Sequence, residues 1–119
     1  MSRLTEVSFG TARPVDGYGP GFWRAGGSVI RGPMLITAAR AVAWGGYADL
    51  APLLALAGAV DVVFVGTGRV IAHPPAAFRG ALEAAGFGVE AMDSAAAART
   101  YNVVLAEGRR IAAALLPVD

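Results

Sequence analysis

Cysteine and lysine are both missing from these 119 residues, and histidine occurs once, at His73. Without cysteine there is no disulfide, no thiolate nucleophile, no iron–sulfur ligation and no cysteine zinc site. A lone histidine rules out a histidine-based metal cluster. Because His73 stands just before Pro74 and Pro75, at the start of a predicted helix, it reads as an ordinary loop residue. A Ser/His/Asp grouping is unsupported, since this one histidine has no visible orienting partner. No cofactor and no metal are expected.

Charge is scarce as well. Only 16% of residues are charged and 55% are hydrophobic, against about 25% charged in an average soluble domain. The ten basic residues, all arginine, and the nine acidic ones are spread along the chain for a net charge of +1. No basic run exists to release counterions from a nucleic acid, so nucleic-acid binding is not expected. Arginine, alanine, glycine and proline share GC-rich codons, and a GC-rich bacterial genome explains the arginine bias better than phosphate recognition does. A surface this poor in charge points to coverage by a protein partner or by a second copy of the chain.

Long apolar runs are missing too. The longest uncharged one, Leu50–Val60, contains Pro52 and Gly58 and is too short to span a bilayer. The first residues, MSRLTEVSFGTARPVDG, hold no continuous apolar stretch and carry Glu6 and Asp16, so they read as neither a secretory nor a transit signal. Cytoplasm is the expected location. The length fits one domain with a single core: a loosely held arm over residues 1–14, then one α/β domain over 15–119.

What is present reads as alternating short elements. Gly17, Gly19, Pro20 and Gly21 bracket a turn around Tyr18. Phe22–Ala25 and Ser28–Arg31 are short strands joined at Gly26-Gly27, a two-residue hairpin signal. Met34–Thr37 and Ala41–Trp44 are further extended candidates. Asp49 can cap a helix over residues 50–57, with Leu50, Leu53, Leu54 and Ala57 at core-facing spacing and Gly58 as the stop. Val60–Val65 has the composition of a strand covered on both faces. A helix over 75–85 would bury Phe78, Ala81, Leu82 and Ala85 and pair Arg79 with Glu83. Gly88–Met92 returns as a strand. Asp93 or Ser94 caps the longest helix, about 94–107, and Arg109–Leu116 is the last strand. Strand and helix alternating from residue 60 onward argue helices packed on a sheet.

Three groups stand out against this background. On the third helix, Ala97, Tyr101, Val104 and Leu105 share one face, which should pack on the sheet, with the Tyr101 hydroxyl reaching a polar edge. Arg99 and Asn102 fall on the opposite side with Glu107 further round, forming either a solvated face or a recognition strip. Gly66-Thr67-Gly68 follows a buried strand, where α/β folds bind ligands. It lacks the third glycine of a dinucleotide fingerprint, because Ile71 stands there, so it is either a tight turn or a nest for a small anion. Glu90 and Asp93 are not a convincing carboxylate pair, because residues three apart on a strand face opposite ways. Trp23 and Trp44, with Tyr18, Phe22 and Tyr47, are either core aromatics or an interaction surface.

The segments VDGYGPGFWRAGGSVI (15–30), AVAWGG (41–46), VVFVGTGR (62–69) and GVEAMDSAAAARTYNVVLAEGRRIAAALLP (88–117), taken in order, resemble the domain-of-unknown-function family that includes the mitochondrial complex I assembly factor 3. The family usually carries threonine where this chain has Ser94. The resemblance implies a three-layer sandwich: a central mixed sheet of about five strands flanked by helices, plus a small N-terminal β element. It also implies a last strand antiparallel to the others, whereas the local pattern of a helix before that strand would make it parallel. It further implies a non-catalytic interaction or assembly factor for a respiratory complex, bound peripherally at the inner membrane through its partner. The alternative is a small-molecule or anion-binding domain, with a cleft near Gly66, Thr67, Gly68, Arg99, Thr100, Asn102 and Glu107. Whether the chain catalyses anything stays open at this point.

Overall fold

A computed structural model describes residues 12–119. Most of the arm expected over 1–14 therefore lies outside the described residues. Two sheets are present. The smaller is antiparallel: β1 (Gly17–Gly19), β2 (Phe22–Ala25) and β3 (Ser28–Arg31). Its β2–β3 hairpin turns on Gly26 and Gly27, both at positive φ (57° and 80°), the backbone required by a two-residue turn that matches strand twist. Tyr18 is not a turn centre. It pairs with Trp23 inside β1, and the chain reverses at Pro20-Gly21 instead.

The larger sheet has five strands in the order β5-β4-β8-β6-β7. These are β4 (Met34–Thr37), β5 (Ala41–Ala43), β6 (Val62–Gly66), β7 (Gly88–Met92) and β8 (Ile111–Leu115). The architecture is thus a mixed α/β sandwich with an added small β element. β8 runs parallel to β6 and antiparallel only to β4, which corrects the expectation that the last strand opposes all the others. The cause is the connection: a crossover helix brings the chain back to the end at which the previous strand began.

α2 (Ala76–Ala84) links β6 to β7, and α3 (Ser94–Ala106) links β7 back across β6 to β8. Right-handed crossovers running in opposite directions along a sheet place their helices on opposite faces. Accordingly Phe78 and Leu82 of α2 pack with Val63, Val65, Ala112 and Ala114. Ala97, Tyr101 and Leu105 of α3 pack on the other side with Phe64, Ala113, Ile36 and Trp23. Alternate residues of each strand thereby feed two cores, which is why β6 and β8 are apolar throughout. The aromatics Trp23 and Trp44 are core residues. Trp44, Tyr47 and Phe78 form one cluster with ring centroids 4.9–6.1 Å apart.

The helix expected over 50–57 closes after one turn as α1 (Ala51–Leu54), and only Leu53 of it is buried. Asp49 does not cap it. Its Oδ2 accepts the Gly45 N–H at 3.0 Å, and its carbonyl accepts the Trp44 indole N–H at 2.9 Å. Past Leu54 the chain tightens: the Leu56 and Ala57 N–H groups donate to the Leu53 and Leu54 carbonyls, three residues back, in place of the α-helical four. Leu54 and Ala57 face solvent. No helix among the described residues is long and apolar enough to cross a membrane.

Candidate functional site

An open α/β sheet offers a ligand crevice at the carboxyl ends of its strands, where the strand order reverses. In this sheet that point lies at the ends of β6 and β8, beside the first turn of α3. Gly66, Thr67 and Gly68 are there, and the crevice is filled by protein. Ser94 is completely buried. Its hydroxyl donates to the Leu116 carbonyl at 2.6 Å and accepts the Gly68 N–H at 2.8 Å, while its own N–H donates to the Gly68 carbonyl at 2.8 Å. Thr67 N–H donates to the Met92 carbonyl at 2.8 Å. The Thr67 and Gly68 amides that would form an anion nest thus already have partners. A Cβ built on Gly66 would come within 2.7 Å of Ser94 Oγ and 2.9 Å of Ser94 Cα, so glycine is what lets the latch close. Asp93 is the helix cap, its Oδ1 accepting the Ala96 N–H at 2.9 Å. This assigns to Asp93 the role that Asp93 and Ser94 shared as candidates.

The polar strip of α3 divides by function. Asn102 clamps the incoming chain: its Oδ1 accepts the Val15 N–H and its Nδ2 donates to the Val15 carbonyl, both at 2.8 Å. The Tyr101 hydroxyl donates to the Arg13 carbonyl at 2.9 Å, and Arg13 N–H donates to the Ala38 carbonyl at 3.1 Å. Residues 13–15 are therefore strapped to α3 and to the end of β4. Burial pushes the Tyr101 phenol well above its ordinary pKa, with nearby Arg13 pulling weakly the other way. Thr100 makes only a 3.5 Å contact from its hydroxyl to Met92 Sδ. Glu107 is the exposed residue that ends α3. Arg99 is exposed and lines a shallow cleft with Asp16, Tyr18 and Asn102, to which Gly66–Gly68 contribute no residue.

A third region was not read as a site in the sequence. β7 is the edge strand of the large sheet. Gly88 N–H donates to the Asp61 carbonyl and the Met92 carbonyl accepts from Thr67, so those residues point their main chain toward β6. By alternation, Val89 and Ala91 point theirs outward. One of these outward groups, the Val89 carbonyl, is covered by Arg79 Nη2 at 2.9 Å. Between this edge and the loop after β6 lies an open groove of about 550 Å³, lined by Ile71, His73, Arg79, Glu90 and Ala91 among others. Val70 and Ile71 are each 68% exposed, the largest exposures among the big apolar residues described. Thr67 holds that loop in shape: its hydroxyl lies 2.9 Å from the Val70 carbonyl and accepts the Ala72 N–H at 3.1 Å. Among the described residues, no group of three or more His, Asp or Glu is placed to hold a metal ion.

Residues 15–116 match the family described as "Protein of unknown function (DUF498/DUF598)". The chain belongs to that family. It is similar to an uncharacterised protein of Rhodobacter capsulatus, 54% identical over 113 residues that cover 95% of this chain and 91% of the relative. A Bartonella henselae structure described as an outer membrane protein matches with a TM-score of 0.80 and 30% identity, over 92% of this chain and 98% of that one. A Bordetella pertussis protein described as a Mth938-like domain matches with a TM-score of 0.76 and 29% identity, over 99% and 93% of the two chains.

Membership in DUF498/DUF598 puts the RTYN segment in a new light. Tyr101 and Asn102, the residues that look most like chemistry, hold the fold's N-terminal strap, and Ser94 closes its crevice. The signal for the clamp was available in principle, as an amide side chain half-buried on a helix that must find backbone partners. The signal for the β7 edge was not, because it depends on strand order.

Proposed function

We propose that this protein is a non-catalytic interaction factor that takes up an extended segment of a partner protein along the free edge of β7. The observation that carries this reading is the proximity of that edge to the Val70-Ile71 loop, two large apolar side chains left in water beside a strand whose outward main chain is bonded, among the described residues, at the Val89 carbonyl alone. Soluble proteins ordinarily cover or charge such an edge. Strand addition uses this combination, with main-chain bonds for affinity and alternate side-chain pockets for specificity. Glu90 is exposed in the groove and favours a basic residue on the incoming strand. By the family resemblance, the partner is a subunit of respiratory complex I, which would hold this protein peripherally at the inner membrane.

Pull-down from a bacterial membrane extract should recover NADH:quinone oxidoreductase subunits, and the Val70→Asp/Ile71→Asp variant should lose them while melting like the wild type. Both changes are at exposed positions, so folding should be spared. Repeated recovery of no such subunit refutes the complex I assignment. Equal recovery by the variant refutes the groove. If the edge instead pairs with a second copy, the free protein will dimerise and the variant will be monomeric.

The reading as an anion or small-molecule cleft draws less support. Its glycine amides are bonded internally, and Arg99 opens onto a different cleft.

A further inference from the structure

A second groove lies at the opposite end of the large sheet, where β6 and β8 begin and β4 ends. One cavity there, of about 350 Å³, is lined by Leu56, Val60, Arg109 and Ile111. A neighbouring one of about 240 Å³ is lined by Leu35, Arg40 and Val42, and the two adjoin across Thr37, Ala39 and Leu56. The apolar lining is aliphatic, without an aromatic ring. Three arginines stand at the rim, but they are not equivalent. Arg110 is fully committed: Nε and Nη2 bond Asp61 at 3.1 and 2.6 Å, and Nη1 bonds the Gly58 carbonyl at 3.0 Å. Arg40 and Arg109 are exposed and make no ion pair or side-chain hydrogen bond among the described residues.

We propose that this groove binds an aliphatic carboxylate, with its head group at Arg109 and its chain running along Val60 and Leu56 toward Val42 and Leu35, where Arg40 stands over the second cavity. Three observations favour that ligand class. Guanidinium matches the planar, bidentate geometry of a carboxylate. The larger cavity falls in the size range of small-ligand sites, which are mostly apolar with a few placed polar groups, and the smaller one extends it. β4, which runs beneath the groove, is already paired on both sides by β5 and β8. A peptide would therefore find little main chain to bond, whereas an acyl chain has no backbone groups to satisfy. The absence of aromatic rings from the lining argues against a nucleobase, which binds by stacking. This site is independent of the β7 groove, and either can fail without the other.

Decanoate, decanol and acetate titrated separately into the whole protein, followed by amide chemical shifts, provide the test. Decanoate should shift the amides of Thr37–Arg40, Leu56–Val60 and Arg109–Ile111, with half-saturation below about 1 mM. Decanol and acetate should each bind at least about tenfold more weakly. Arg40→Gln/Arg109→Gln should weaken decanoate to the level of decanol. Ala59→Trp, which fills the mouth from an exposed position and leaves both arginines, should abolish binding. The proposal is overturned if decanol matches decanoate, if acetate matches decanoate, if the shifts fall elsewhere, or if nothing binds. It is equally overturned if those amides shift with protein concentration alone, since a second copy would then be the occupant.

Discussion

Removing the Asn102 side chain separates a structural clamp from a recognition residue. Asn102 makes two hydrogen bonds of 2.8 Å to the two main-chain groups of one residue, Val15, which lies 87 positions away in the chain. A net contribution near 1 kcal/mol for each bond gives about 2 kcal/mol. Freeing the asparagine rotamer and the strap returns up to about 1 kcal/mol as entropy. Asn102→Ala should therefore cost about 1–2 kcal/mol, which for a domain of this size lowers Tm by roughly 4–8 °C. Tyr101→Phe removes the hydroxyl bond to the Arg13 carbonyl from the same strap and should cost about 1 kcal/mol. Because both side chains hold residues 13–15, the double variant should lose less than the sum, with a coupling of about 0.5–1 kcal/mol. Urea unfolding measures the energies, and hydrogen exchange at the Val15 amide reports the clamp directly. If Asn102→Ala leaves both stability and Val15 protection unchanged, the clamp is wrong and the residue is available for a ligand.

Four further outcomes follow from the same geometry. Gly66→Ala should destabilise by about 1–3 kcal/mol or more in thermal melts, because its Cβ meets Ser94 Cα, which cannot swing away. Ser94→Ala should cost about 1–3 kcal/mol, since the Leu116 carbonyl and Gly68 N–H both lose their partner. The hydrogen bond from Arg110, aided by the charges of Arg110 and Arg109, holds the Asp61 carboxyl below its ordinary value of 3.8. Its stabilisation is present above that value and fades as pH falls through the lowered one. Carboxyl NMR should show this, with Arg110→Gln moving the titration back toward the ordinary value and leaving Tm nearly unchanged, because the pair is exposed. Tyr101 runs in the opposite sense. Its raised phenol pKa means that stability falls as pH rises above 10, a slope that Tyr101→Phe should flatten in alkaline unfolding curves.

Features whose cause is local were legible in the sequence. The Gly26-Gly27 hairpin, the Asp93 cap, the Arg79–Glu83 pair at 3.1 Å and the inward face of α3 each depend on residues a few positions apart. Features whose cause is distant were not. Nothing near Asn102 announces that its partner is Val15, and nothing near Ser94 announces Leu116, 22 residues on. The cap of α1 shows the same competition at close range. Asp49 has the sequence position of a cap, but the turn at Gly45 claims its carboxylate first. Strand direction, by contrast, was legible locally: a helix before β8 implies the parallel run with β6 that is observed, and only the family resemblance had implied otherwise.

The position of the crevice decides where function can reside. A sheet whose order reverses between β6 and β8 ordinarily leaves an opening at their carboxyl ends. This chain closes that opening with a buried hydroxyl, a glycine that admits it and amides bonded within the loop. The same loop then runs outward, and the Thr67 hydroxyl holds its conformation while Val70 and Ile71 project into solvent. A loop ordered by the Thr67 hydroxyl and tipped with two aliphatic residues incurs a hydration cost that burial in the fold would have avoided. That cost is offset if the loop is covered in an assembly, and the adjacent free edge of β7 supplies the main-chain groups with which a partner would cover it. The Gly66–Gly68 segment is the place where the chain leaves the closed crevice for an exposed apolar loop.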